Sequence, residues 1–265
     1  MMRSIRTGAR LPELTYRVWK VWRRDFDVFM KTWKVNFFPS LFEPVFYLVA
    51  LGFGLGGFVQ EIGGLPYVQF IAPALVAISV MNSSFFECTY GSFVRMYYQK
   101  TFDGIIATPI NIEEVVAGEL LWGATRSLIS STIVLGVVGA FGLMSSPLFI
   151  LIPPIAFFGG LMFSSIGMCF TAIAPNIDFF NYPAFLFVTP MFLLGNTFFP
   201  LSSFPKVLQT LANAVLPLVH QVALTRGLML GDIESSLLLS MIWTSAVTLF
   251  FFILSIDLMK RRLIK

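Results

Sequence analysis

Apolar residues run almost unbroken through six stretches, 36–58, 67–90, 114–142, 148–173, 183–200 and 236–258. Each is close to or beyond the roughly 20 residues that carry a helix across the hydrocarbon of a bilayer. The pattern predicts six transmembrane helices. Residues 1–35 follow another rule. Leu11, Leu14, Val18, Trp22, Phe26, Phe29 and Trp33 recur at intervals of three or four, which puts them on one helical face. Arg17, Lys20, Arg23, Arg24, Lys31 and Lys34 take the other faces. A basic amphipathic helix of this kind, with tryptophan on its apolar side, lies in the membrane interface; packing on a soluble partner is the alternative. Residues 1–34 hold no continuous apolar run of the sort a signal peptide needs.

The stretch from Pro183 to Gly231 is of a third kind. Past the fifth span it stays mostly apolar, yet Pro200, Pro205 and Pro217 break it, and it carries Lys206, His220 and Arg226. Proline removes an amide donor and clashes with the preceding turn. Lipid cannot satisfy the carbonyls so freed, and broken backbone at membrane depth must face protein or a water-filled cavity. The segment 201–235 is therefore predicted to hold short helices that dip in and out at one membrane face. That is the architecture of a transport path rather than of an enzyme.

Composition agrees with a polytopic membrane protein. Hydrophobic residues make up 57% of the chain and charged residues 12%, with a mean hydropathy of +0.81; soluble domains carry about a quarter charged residues. No polar stretch is long enough for a separate soluble core, so residues 1–265 are read as one membrane domain. Cys88 and Cys169 lack metal-ligand spacing and read as small buried hydrophobes. The basic residues are strongly biased: fifteen of the eighteen fall in residues 1–35, the 91–113 loop and the C-terminal tail. Basic residues near spans are retained in the cytoplasm. Both termini and the 91–113 loop are thus predicted to be cytoplasmic, and 201–235 to face out. The net charge of +4 reflects this bias and anionic lipid, and calls for no nucleic-acid partner.

Two groups of residues could carry function. In the 91–113 loop, TFDGIIAT forms a short amphipathic helix ended by Pro109, after which Asn111 and Glu114 have the spacing of a capping box for the third span. This helix either binds a partner or lies in the interface. Within the spans, Glu43, Glu87, Glu119 and Arg126 all fall toward the cytoplasmic side. Intramembrane charges are costly and face the bundle interior or a cavity. One reading is a structural cluster in which Arg126 pairs with one or more glutamates; the other is gating or binding of a substrate headgroup. Gly52 and Gly56 form a GxxxG pair, a mark of close helix packing. No lysine follows a glycine, so the GxxxxGK[ST] nucleotide loop is absent. A single histidine rules out HExxH zinc chemistry, no metal set stands out, and no GxSxG elbow is present.

The ordered stretches EPVFYLVALGFGLG (43–56), FECTYGSFVRM (86–96), TFDGIIATP (101–109), GELLWGATRS (118–127), APNIDFF (174–180), TPMFLLGNTFFPLSSFP (189–205), LPLVH (216–220) and the terminal RRLIK resemble the permease subunits of ABC-2 type exporters. They are most similar to the branch of nodulation-factor (lipo-oligosaccharide) export permeases. The likeness covers nearly the whole chain. LPLVH stands where many relatives carry an asparagine-proline motif, which fits this branch and argues against importing a drug exporter's substrate. The resemblance implies an all-α, six-span subunit of the bacterial inner membrane, paired with a second copy of itself and with separate ABC ATPase subunits that bind the ATP and magnesium. The permease itself then needs no cofactor and catalyses nothing. It implies that Gln99, Lys100, Thr101, Phe102, Asp103, Gly104, Ile105, Ile106, Ala107, Thr108 and Pro109 couple to the ATPase. Phe199, Pro200, Pro205, Pro217, His220 and Arg226 would belong to an outer gate. The substrate would be an amphiphilic, glycolipid-like molecule moving among membrane lipid. A hydrophobic drug or antibiotic is the alternative cargo; a secondary transporter or an intramembrane lipid-modifying enzyme is the alternative class. The first of these needs duplicated helix breaks, and the breaks here concentrate after span five.

Overall fold

The computed structural model describes residues 12, 14–59, 61–233 and 235–264. Leu11, Arg3, Arg6, Arg10 and Lys265, used above, lie outside these. The chain is an all-α polytopic membrane protein. Among the described residues, five helices are each long and apolar enough to cross a bilayer: Tyr67–Tyr98, Ile112–Ala140, Pro147–Ile173, Ile177–Leu194 and Ser235–Leu263. Two further helix pairs meet that test only together, each across a bend.

The first bent pair is the N-terminal helix, which runs Val18–Tyr47. Its Val18–Val35 leg meets the Ser40–Gly52 leg at 53°. Pro39 falls between the legs and supplies no amide donor, a sufficient cause for the bend. Interfacial helix and first span are thus one continuous element. A two-residue hairpin follows, Glu61–Ile62 against Leu65–Pro66. Its turn uses Gly63 and Gly64 at φ +60° and +79°, the left-handed region that glycine enters freely.

The second span is the centre of the bundle; Ile71, Ala72, Val76 and Ala77 are fully buried. It is longer than its apolar run. Instead of ending near residue 90 it continues to Tyr98 through π-helical turns at Glu87–Gly91 and Val94–Tyr98. Arg95, expected on a loop, is therefore helical and half-buried. The third span begins at a capping box, with the Asn111 amide donating to Glu114 Oε2 at 2.9 Å. The fifth begins at Ile177 rather than 183 and ends at Leu194, in consecutive 3₁₀, α and π segments that include Pro183 and Pro190. The sixth runs on to Leu263, with Lys260, Arg261 and Arg262 in its last turn. Between them, Lys206–Val215 and Pro217–Leu230 fold back at 88°, with Pro217 opening the second leg.

Contacts separate two ends. At the basic end, the Arg17 guanidinium donates to the Pro109 carbonyl, Lys260 pairs with Glu113, and Arg262 donates to the Thr171 carbonyl. At the other, Tyr67 donates to the Phe198 carbonyl, and the amides of Ser145 and Ser146 to that of Met229. Small residues let the spans approach closely. A side chain at Gly118 would collide with Val21 of the N-terminal helix, and one at Gly123 with Cys88 and Ser164. Gly52, read as a mark of close helix packing, lies against Val68 of its own chain. Cys88 and Cys169 are free thiols.

Candidate functional site

The charged residues of the basic end gather around Arg95. Its Nη2 lies 2.6 Å from Glu119 Oε2, its Nε 3.2 Å from Glu119 Oε1, and its Nη1 2.8 Å from Glu87 Oε1. Arg24 of the interfacial leg reaches the same Glu119 at 2.9 Å and Asp25 at 2.6 Å. Ser92 donates to Glu119 Oε2 at 2.7 Å, and the Trp122 indole to Glu87 Oε1 at 3.0 Å. Glu119 is wholly buried. A buried carboxylate persists only when paired and hydrogen-bonded, and this one receives two guanidiniums and a hydroxyl. Burial pushes the Asp25 carboxyl up to about 7, with neighbouring Glu119 adding to the rise and Arg95 and Arg24 opposing it.

Of the four intramembrane charges singled out in the sequence, Glu87 and Glu119 meet in this cluster. Arg126 touches its edge, with Nε 3.5 Å from Glu87 Oε2. Glu43 takes no ion pair among the described residues; it lines a groove that also borders Arg126. The pattern of apolar runs missed Arg24, Asp25, Ser92 and Arg95. Arg95 reads along the chain as a basic residue of the 91–113 loop, because it lies beyond the apolar run of span two. Asp25 falls in register with Val18 and Val21, one position away from the Trp22–Phe29 stripe, on the face that packs against the third span.

Arg126 also lines three cavities that share walls. A polar chamber of about 500 Å³ is bordered by Arg24, Glu87, Arg95 and Trp122. A slot of about 240 Å³ lies between Phe29, Trp33, Phe37, Ile129 and Ile133. A groove of about 210 Å³ holds Glu43, Tyr47, Ser79 and Asn82.

The loop helix Thr101–Ile106 hangs directly below the cluster, at the end of the span that carries Arg95. Lys100 starts it with φ +55°. The stretch 99–109 does not present one surface. Phe102 is fully buried, and Ile105 and Ile106 pack against the same apolar core. Gln99, Lys100, Asp103, Gly104, Ala107, Thr108 and Pro109 are exposed, beside exposed Tyr97 and Tyr98. The inward residues anchor the helix, and the outward ones are available to a partner.

At the opposite end, Arg226 donates to the Phe70 and Asn196 carbonyls at 3.0 and 2.9 Å and sits 4.0 Å above the Phe70 ring. His220 Nε2 lies 2.8 Å from the Asn213 carbonyl, so it carries the proton, and Nδ1 accepts from Ser240 at 3.2 Å. The imidazole also stacks on Trp243 at 4.2 Å. Pro200 and Pro205 each precede a short helix, and Phe199 is exposed.

A multi-span bundle with its charges collected above an exposed loop helix, and a folded-back pair at the far end, defines a membrane protein of the transport class. The sequence profile of the ABC-2 type transporter family matches residues 16–230, and the chain belongs to that family. It is 35% identical over 259 residues to nodulation protein J of Sinorhizobium fredii (strain NBRC 101917 / NGR234), covering 98% of both chains. To nodulation protein J of Bradyrhizobium diazoefficiens it is 36% identical over 258 residues, covering 96% of this chain and 97% of that one. The inner membrane transport permease YadH of Escherichia coli (strain K12) is 22% identical over 203 residues, 77% of this chain and 78% of YadH. The chain is a transport component, a membrane-spanning permease.

Proposed function

We propose that this permease works in a bacterial inner membrane with both termini cytoplasmic, as a homodimer coupled to two separate ABC ATPase subunits. Its cargo is an amphiphilic lipo-oligosaccharide or lipid-linked glycan, moved out of the cytoplasm. The observation that carries the reading is the likeness to nodulation protein J along 98% of both chains, at the family's full architecture. ATP and magnesium are held by the ATPases, and this chain supplies the path.

The geometry suits such a division of labour. A push on the exposed face of the 101–106 helix is delivered through Phe102 into the apolar core, and through the helical extension of span two to Arg95. Arg95 is bonded to span three by Glu119, and Glu119 to the interfacial leg by Arg24. Loop, second span, third span and N-terminal helix therefore shift as one body against a partner subunit, opening a path for a sugar whose tail stays near lipid.

The test is copurification and transport. Tagged chain from its native membrane should bring down an ABC ATPase in about equal amount. Inverted vesicles holding both should take up radiolabelled lipo-oligosaccharide only with hydrolysable ATP. Uptake by the chain without any ATPase, or a tagged chain that brings none down, would sink the proposal.

A further inference from the structure

Arg126 is the one arginine among the cluster's three that the cluster does not consume. Arg95 spends its donors on Glu87 and Glu119, and Arg24 bonds Asp25 and Glu119. Arg126 makes no hydrogen bond among the described residues. It rests on the Phe29 ring at 5.1 Å, and its only charge contact is the 3.5 Å approach to Glu87. Its Nε is buried without a partner, and so is Nη1 of Arg24, which borders the same chamber. A buried guanidinium nitrogen without an acceptor is costly. Both oxygens of Glu119 have their acceptors taken, whereas among the described residues Glu87 Oε2 meets only Arg126, and Asp25 Oδ2, on the same chamber wall, has no partner. Two of the three unmet buried groups on the chamber wall are thus guanidinium donors that want an acceptor, and they face a chamber of about 500 Å³, within the range of small-ligand sites.

The other side of Arg126 faces apolar wall. The slot between Phe29, Trp33, Phe37, Ile129 and Ile133 begins where the chamber ends, sharing Phe29 and Arg126 with it. Met30 and Trp33 on its rim are half exposed on the outside of the bundle, so the slot opens sideways toward lipid. A chain longer than the slot can leave through that side.

We propose that each subunit holds, within itself, a binding site for an anionic amphiphile, its phosphate-type headgroup on Arg126 and Arg24 in the chamber and its acyl chain in the slot between the N-terminal helix and span three. The site belongs to one chain and is separate from any path between two subunits. It does not depend on the transport reading.

Binding is read on the purified full-length chain in nonionic detergent, without ATPase, by native mass spectrometry. Hexadecyl phosphate and hexadecanol are the probes. Wild type should bind the phosphate at least about tenfold more tightly than the alcohol, the preference that a charge-assisted hydrogen bond sustains. Arg126→Gln should abolish that preference, and Arg126→Lys should keep part of it. Ser130→Phe, which narrows the slot without touching a charge, should weaken both probes. If wild type binds both probes alike, or folded Arg126→Gln keeps the preference, the proposal fails. Should Arg126→Gln not fold, Ser130→Phe decides, and unchanged binding there overturns the site. Lipid extracted from chain purified without added amphiphile separates the sources. A phospholipid marks a resident membrane lipid and a sugar-bearing lipid marks cargo, whereas equal recovery from Arg126→Gln counts against the site.

Discussion

Arg95 grips Glu119 along one edge of its guanidinium, with Nη2 and Nε both within 3.0 Å of Oε2. One residue stands near the end of span two and the other a quarter of the way along span three, and neither carboxylate oxygen reaches water. Removing one partner of a buried pair strands the other's charge and costs about 3–5 kcal/mol, whereas replacing both with apolar groups is often near neutral. Arg95→Met and Glu119→Leu should each lower the thermal midpoint in detergent sharply. The double variant should lie closer to wild type than the sum of the two, and a double-mutant cycle in chemical denaturation reads the difference.

Asp25 sets a pH dependence of opposite sense to an ordinary surface aspartate. Its folded pKa of about 7 stands above the ordinary 3.8, so the folded chain holds this proton more tightly than the unfolded one. The stability it contributes is complete below about pH 4 and is lost as pH rises through 7. Arg24, Arg95 and Glu119 are the charges facing it. Asp25→Asn should therefore stabilise by about 1–2 kcal/mol at pH 8, after allowance for the weakened Arg24 bond, and by nothing at pH 5. Melting curves at the two pH values check the sign.

The loop helix separates anchoring from docking. Phe102→Ala empties a buried site and should cost about 3–5 kcal/mol. Gly104 faces open space, so Gly104→Asp should leave the stability within about 0.5 kcal/mol of wild type. If the exposed face receives the ATPase, Gly104→Asp should cut ATPase capture at least about tenfold in a pull-down. Unchanged capture would move docking off this face.

Gly118 is the crossing point of the N-terminal helix and span three. Leucine there meets Val21 and the Val18 carbonyl. Overpacking of this kind costs about 1–3 kcal/mol, and here it should lift the Val18–Val35 leg. Limited proteolysis should cut within that leg in Gly118→Leu, and Val21→Ala should restore part of the protection.

Hydropathy located the spans because each is a long apolar run, although span two runs eight residues further and span five lies six residues earlier than that run, and proline spacing marked the fold-back around Pro217. It ended span two too soon because Glu87, Arg95 and Gln99 lower the average there, although π turns carry the helix on to Tyr98. Asp25 gives no signal in the apolar pattern, standing among the basic residues of the N-terminal leg. A carboxylate beside two arginines looks exposed along the chain, and only the crossing at Gly118 reveals that its face is covered. Glu87, Glu119 and Arg126 were visible as intramembrane charges, but their neutralising partners come from an interfacial leg and a π turn. Those pairings span up to 95 residues, and no local pattern encodes them. Phe102 shows the same limit, since amphipathicity shows that a face is apolar without saying whether core or partner covers it.

At the far end, one imidazole fastens three pieces. His220 lies in the second leg of the fold-back, bonds the first leg at Asn213, and bonds and stacks on the sixth span at Ser240 and Trp243. Both legs and the top of that span are therefore joined into a single leaf, and the 88° corner at Pro217 is a bracket within the leaf, not its edge. Any give must come from the joint that precedes the first leg, at residues 195–205.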